Sequence, residues 1–251
     1  MNKPKAIAFD LDGTLAESKQ RVSAEMGEIL SNLLNEIPLA IMSGASFKQV
    51  QMQFLPSLPA EAKLERLFLF PTNAALCFVY RDGAWKPQYD HSFTQTEKNT
   101  ILNALNEALK DTHLDAKPDT LWGEQIDDRG AQITWSALGQ LAPLEVKSKW
   151  DPDRSKRLPL RTALLKLLPM CSIGVNATNS IDITRKGITK AYGVKRFSEL
   201  TNIPIAETLF VGDALDEGGN DSVVLDTGIP THSVFGPEDT AAFIETLLHK
   251  A

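Results

Sequence analysis

The chain has 251 residues, 43% hydrophobic and 23% charged, with 15 Gly and 14 Pro; this is a globular composition and excludes a fibrous or disordered chain. A formal net charge of −6 argues against a nucleic-acid or anionic-membrane partner, and no apolar run approaches the roughly 20 residues of a membrane span. Met1, Asn2, Lys3 and Pro4 lead almost at once into a strand-like run, so no secretory leader is expected; Cys77 and Cys171 cannot build a disulfide framework, and a cytoplasmic location is the expectation.

Ala6-Ile7-Ala8-Phe9 is a short apolar run ending at Asp10, the pattern of a buried strand. Val22, Met26, Ile29, Leu30, Leu33 and Leu34 recur at helical spacing and predict a helix over 22–34. Residues 38–42 read as a second strand closed by Ser43-Gly44. Phe47, Val50 and Phe54 mark another helix, and residues 67–70 a third strand. Strand, helix and strand at this rhythm predict a parallel sheet with crossover helices.

The middle of the chain changes character. Phe78-Val79-Tyr80, Arg81-Asp82-Gly83 and Trp85 read as a hairpin turning at Asp-Gly. A helix carrying Ile101, Leu102, Leu105 and Leu109 follows. Residues 132–136 and 180–184 alternate polar and apolar, as half-exposed antiparallel strands do. Asp151-Pro152-Asp153 marks a turn and helix start, and 158–168 a helix. Near Gly187 the first rhythm returns, with a helix over 192–200 and a buried strand over 208–211 closed by Gly212-Asp213. A short strand at 233–235 and a terminal helix complete it. The expectation is an α/β fold with a discontinuous core, residues 1–81 and 187–251. An α+β insertion of residues 82–186 interrupts it and holds all four tryptophans, at 85, 122, 135 and 150.

Asp10-Leu11-Asp12-Gly13-Thr14-Leu15 follows the first strand, and strand ends are where parallel sheets hold ligands. Carboxylates at i and i+2 on an extended segment point the same way and repel unless a cation lies between them. A helix-capping turn is the plainer reading. A calcium loop is a third, although Thr14 replaces its third acid. A second acidic cluster, residues 211–221, again caps a buried strand. Its Asp213 and Asp221 are hard oxygen donors with no His or Cys nearby, which suits Mg²⁺. Ser43-Gly44 ends the second strand and offers a hydroxyl and amides to a phosphoryl oxygen, though alone it is as readily a turn. Lys190 opens the helix before the last buried strand, and its ammonium suits the same anion.

Asp-x-Asp, Ser, Lys and Gly-Asp with a later Asp, in this order, resemble the haloacid dehalogenase superfamily of phosphoryl-transfer enzymes over nearly the whole chain. The insertion lies where the type IIB group carries its cap. Within that group the chain is most similar to the eukaryotic-type phosphomannomutases, on Gly218-Gly219-Asn220-Asp221 and Phe47-Lys48-Gln49-Val50-Gln51. The resemblance implies a three-layer, Rossmann-like core with a parallel sheet plus an α+β cap. It makes Asp10 the nucleophile that forms an aspartyl phosphate and Asp12 the general acid/base. It assigns Mg²⁺ to Asp10, the backbone carbonyl of Asp12 and Asp213, with Asn220 and Asp221 in or just behind that shell. Ser43, Gly44 and Lys190 bind the phosphoryl group. In the cap, Arg129 grips the substrate, and Ser180 and Asp182 bond its hydroxyls. Pairing of two copies through the cap belongs to the same expectations.

Three departures bear on activity. Gln140 and Lys147 stand where the mutases carry two further cap arginines, and Ser43 where they carry glycine. A mutase must hold a bisphosphate with either phosphate in the cap, so the neutral Gln140 favours a phosphatase of a small phosphorylated sugar or similar metabolite. Interconversion of mannose 6-phosphate and mannose 1-phosphate is the alternative. A non-catalytic sugar-phosphate sensor is a third reading, and the intact Asp10, Asp12, Lys190 and Asp213 weigh against it. Lys149, Arg154, Lys156, Arg157 and Arg161 read as a solvated helix face.

Overall fold

The computed structural model describes residues 3–176 and 178–249. In chain order it runs β1 (Ala6–Phe9), α1 (Ala24–Glu36), β2 (Leu39–Met42), α2 (Phe47–Gln53), β3 (Leu67–Phe70), a short turn α3 (Pro71–Ala74), β4 (Leu76–Arg81) and β5 (Ala84–Asp90). Then come α4 (Gln95–Asp111), β6 (Ile126–Asp128), β7 (Ile133–Ser136), α5 (Leu144–Trp150), α6 (Arg157–Leu167), β8 (Cys171–Asn176) and β9 (Ser180–Arg185). The chain ends with α7 (Lys190–Thr201), β10 (Thr208–Gly212), β11 (Thr231–Ser233) and α8 (Pro237–His249). It divides into two units: residues up to Asp90, Thr189–Glu217 and from Asp221 on form the first, and His91–Ile188 with Gly218–Asn220 the second.

The first unit holds a seven-stranded sheet, β11-β10-β1-β2-β3-β4-β5, parallel from β11 to β3 and antiparallel beyond. The four-residue strands are apolar throughout because both faces are covered. Ile7, Phe9, Leu39, Ile41, Leu209 and Val211 face one side and pack with α1, α2 and α8. Ala6, Ala8, Ala40, Met42 and Phe210 face the other and pack with Val194 and Phe197 of α7. Helix α1 buries Met26, Ile29, Leu30, Leu33 and Leu34 on one stripe, each contributing about 1.5–3 kcal/mol. Ser23 caps its start by accepting the Met26 N–H. Ser46 and Gln49 form a reciprocal capping box at the start of α2.

The second unit is a four-stranded antiparallel sheet, β6-β7-β9-β8, with α4 and α6 on one face. Ile133, Trp135, Ile181 and Ile183 join Leu105, Leu160 and Leu164 in its core. A capping box of Thr94 and Glu97 starts α4. Among the described residues no helix is long and apolar enough to cross a membrane.

Some expectations need correction. The insertion does not begin at residue 82: β5 pairs with β4 along its length, so the first sheet runs on to Asp90 and includes Trp85. The short strand expected at 233–235 is Thr231–Ser233, paired with β10. Residues 132–136 are not half exposed, because Gln132, Thr134 and Ser136 are as buried as their apolar neighbours. Arg157 is not on a solvated face. It is 1% exposed and its Nε donates to Asp151 at 2.7 Å.

Candidate active site

The parallel register brings Phe9 level with Val211 on one side and Ile41 on the other. The residues that leave these strands therefore emerge together at one edge: Asp10 after β1, Ser43 after β2 and Asp213 after β10. Carboxylate oxygens of Asp10, Asp213 and Asp221 lie within 4.8 Å of one another, with Asp213 the exposed member. Lys190 opens α7 and its Nζ donates to Asp10 Oδ1 and, at 2.6 Å, to Asp221 Oδ1. The Ala214 N–H reaches the other Asp221 oxygen at 3.3 Å. Thr14 Oγ1 donates to Asp213 at 3.2 Å. Gly13 has φ +90°, and a Cβ there would lie 2.6 Å from Asp213 Oδ2. Only glycine lets the Asp10 loop pass this close to the Asp213 carboxylate.

The electrostatics follow from burial. Desolvation holds the Asp10 carboxyl well above the usual carboxylate range. Lys190 opposes the shift, and Asp221 and Asp213 add to it. Burial alone would lower the Lys190 pKa, but Asp10 and Asp221 outweigh it and keep the ammonium charged. Asp12 Oδ1 accepts the Lys19 N–H at 2.6 Å. Ser43 is buried, and its Oγ accepts the Ala45 N–H at 3.0 Å, leaving the hydroxyl proton to donate. Behind it, Thr72, Asn73 and Ala74 adopt left-handed φ of 52–64°. Their turn donates the Thr72 N–H to the Ala45 carbonyl and the Asn73 N–H to the Ser43 carbonyl, fixing the Ser43-Gly44 loop from beneath.

In the second unit, the sheet face opposite the core is a row of polar side chains. Thr134 pairs with Asp182 and Ser136 with Ser180 across the strands. Thr134 Oγ1 donates to Asp182 at 2.7 Å and accepts from Gln132 Nε2 at 2.8 Å. The Ser136 and Ser180 hydroxyls are 2.8 Å apart, and Gln140 Nε2 donates to Ser136 at 2.9 Å. Arg129 Nη2 reaches Gln140 Oε1 at 3.5 Å while its Nε donates to Asp127 at 2.8 Å. Arg129, Ser180 and Asp182 thus share one face. Gln132, Thr134 and Ser136 extend it, and the alternation of β7 is the signal that could have found them.

A family model described as haloacid dehalogenase-like hydrolase matches residues 7–136 and 142–222. The chain belongs to that family. The chain is 23% identical to the phosphomannomutase of Schizosaccharomyces pombe, over 98% of this chain and 95% of that protein. It is 25% identical to phosphomannomutase 1 of Dictyostelium discoideum, over 96% of each. Among solved structures it is similar in fold to the truncated, IMP-bound IMP-nucleotidase of Plasmodium falciparum. The TM-score is 0.76 at 16% identity, covering 98% of this chain and 68% of that one.

The site fits a metal cation. Three carboxylates against one lysine leave a formal charge of −2 on Asp10, Asp213, Asp221 and Lys190. Every available donor is a hard oxygen. Burial is the main cause of the raised Asp10 pKa, and the neighbouring Asp221 and Asp213 add to it, a repulsion that a bound cation would offset.

Proposed function

We propose that this hydrolase is a Mg²⁺-dependent phosphatase of a small phosphorylated sugar or similar metabolite, working through an aspartyl phosphate on Asp10. The observation that carries the reading is the buried Asp10–Lys190–Asp221 arrangement with Asp213 beside it. A bare carboxylate does not approach a phosphate dianion, and Lys190 supplies part of the offset. Asp10, Asp213 and Asp221, with the Asp12 carbonyl and Asn220, would hold Mg²⁺, which when bound neutralises charge on the phosphoryl oxygens. An Asp10 oxygen attacks phosphorus while Asp12 gives its proton to the departing sugar oxygen, and the ester P–O bond breaks. Asp12 then takes a proton from water as that water attacks phosphorus, freeing Asp10 and inorganic phosphate. The Ser43 hydroxyl and Gly44 amide hold phosphoryl oxygens with Lys190, and Arg129, Ser180 and Asp182 select the sugar.

Hydrolysis is favoured over mutase chemistry by the state of Arg129. Its charge is met by Asp127, and its fork touches the neutral Gln140. That is a poor second seat for a phosphate. The mutase reading draws on the end-to-end similarity to phosphomannomutases. Buried, unpaired Cys77 and Cys171 suit a cytoplasmic enzyme, and pairing of two copies through the insertion completes the proposal. The test is to supply mannose 6-phosphate and mannose 1-phosphate with and without a hexose bisphosphate. Free phosphate without isomerisation supports the phosphatase, and bisphosphate-dependent isomerisation replaces it with the mutase. Asp10→Asn is expected to abolish turnover, and full activity in that variant removes the aspartyl phosphate.

A further inference from the structure

What holds the Asp12 carboxylate comes from segments outside its own loop. Oδ1 accepts the Lys19 N–H at 2.6 Å and Gln53 Nε2 at 3.4 Å. Gln53 is the last residue of α2 and is buried. The same amide donates to the Gln20 carbonyl at 3.3 Å. Both partners only accept, so the amide nitrogen must face them, and a carboxylate in its place would meet two oxygens. The segment between Asp12 and α1 is tied to the same end of α2. The Val22 N–H donates to the Gln53 carbonyl at 2.9 Å, and Ser57 Oγ donates to the Val22 carbonyl at 2.5 Å. Gly27 permits this approach, since a Cβ there would lie 1.9 Å from the Ser57 carbonyl oxygen. Lys19 has φ 60°, left-handed for a residue with a side chain. Such strain costs about 1–3 kcal/mol and persists where the surroundings impose it, and this strained N–H is the one that reaches Asp12.

We infer that Gln53 is a positioning residue for Asp12. With Lys19 it fixes Oδ1, so that Oδ2, which neither donor touches, gives the proton to the departing sugar oxygen and recovers one from water. The inference rests on the phosphoryl-transfer reading and adds a residue that the carboxylate pattern does not contain. Gln53→Glu keeps the shape and reverses the hydrogen-bond character. Gln53→Leu removes the contact while leaving the backbone bond to Val22, and carries the comparison if the glutamate variant does not fold. The readout is kcat/KM on two phosphate esters, a hexose phosphate and 2,4-dinitrophenyl phosphate. Dinitrophenolate departs without a proton, so only the sugar ester needs a well-placed Asp12. The expected loss is about 10²-fold on the hexose phosphate, against a change of less than about threefold on the aryl ester. Equal losses on both esters, or none on the hexose phosphate, would overturn the role. The phosphoryl-transfer reading has its own failure, an Asp10→Asn variant that still turns over, so the two are separable.

Discussion

Replacing Lys190 by methionine tests the electrostatic centre of the candidate site directly. The side chain is about the same length, so packing against α7 is largely kept, while the charge is lost. Lys190 is 1% exposed and its Nζ lies 2.6 Å from Asp221. At an effective dielectric near 20, one such contact is worth roughly 6 kcal/mol of gross attraction. Most of that offsets the desolvation of both charges. Removing one partner of a buried pair costs about 3–5 kcal/mol, because the other is left uncompensated. For a chain of this size the expected fall in Tm is roughly 6–20 °C. Thermal unfolding followed by circular dichroism, in chelator, measures it. Lys190 is held protonated above its ordinary value of 10.5, so its contribution is complete below that pH and fades as pH rises past it. A double-mutant cycle with Asp221→Asn should give a coupling of about 1–3 kcal/mol. Additivity within about 0.5 kcal/mol, or an unchanged Tm, would show that the ammonium does not hold the cluster together.

Gly13→Ala forces a Cβ to within 2.6 Å of Asp213 at φ +90°; turnover should fall by about 10²-fold, and half-maximal activity should need a higher Mg²⁺ concentration. Glu97 is pulled down to about 2 by hydrogen bonds from Arg185 and Thr94. Its stabilising effect is therefore present above its ordinary 4.5 and lost as pH falls towards 2, so the Tm gap between the parent and Glu97→Gln should close over that window. Arg129→Ala should raise KM for phosphosugars well above any effect on a small aryl phosphate; matched effects would detach Arg129 from the sugar.

The buried parallel strands were legible because a strand covered on both faces is an unbroken apolar run, as at 6–9, 67–70 and 209–211. The three strands that went unread or were placed in the wrong unit are all edges. Ile126–Asp128 is short and acidic, Cys171–Asn176 contains a glycine, and Ala84–Asp90 carries Pro87 on a solvent-facing edge. Edge strands have a neighbouring strand on one side only, and β5 and β6 are largely exposed, so their residues carry a weaker apolar pattern. The strand-end carboxylates were legible for the same reason as the strands. Arg157 was not, because its burial depends on Asp151, whose carboxylate also accepts the backbone N–H groups of Lys156 and Arg157. Gln53 left no signal either: one amide at a helix end means nothing until the loop that it touches is in place. The left-handed turn at Thr72–Ala74 is likewise invisible, since threonine and alanine do not advertise positive φ.

β1 is synthesised well before β10, yet it is flanked by β2 on one side and β10 on the other. Until residues 208–212 emerge from the ribosome, one margin of Ala-Ile-Ala-Phe has no mate, and the nascent chain carries a sticky, half-laced ribbon. The Lys190–Asp10 bridge closes over 180 positions of sequence, so chemistry waits until Lys190 has been made. A chain cut short between β1 and Asp213 should therefore yield an inert and aggregation-prone fragment, never a slow enzyme.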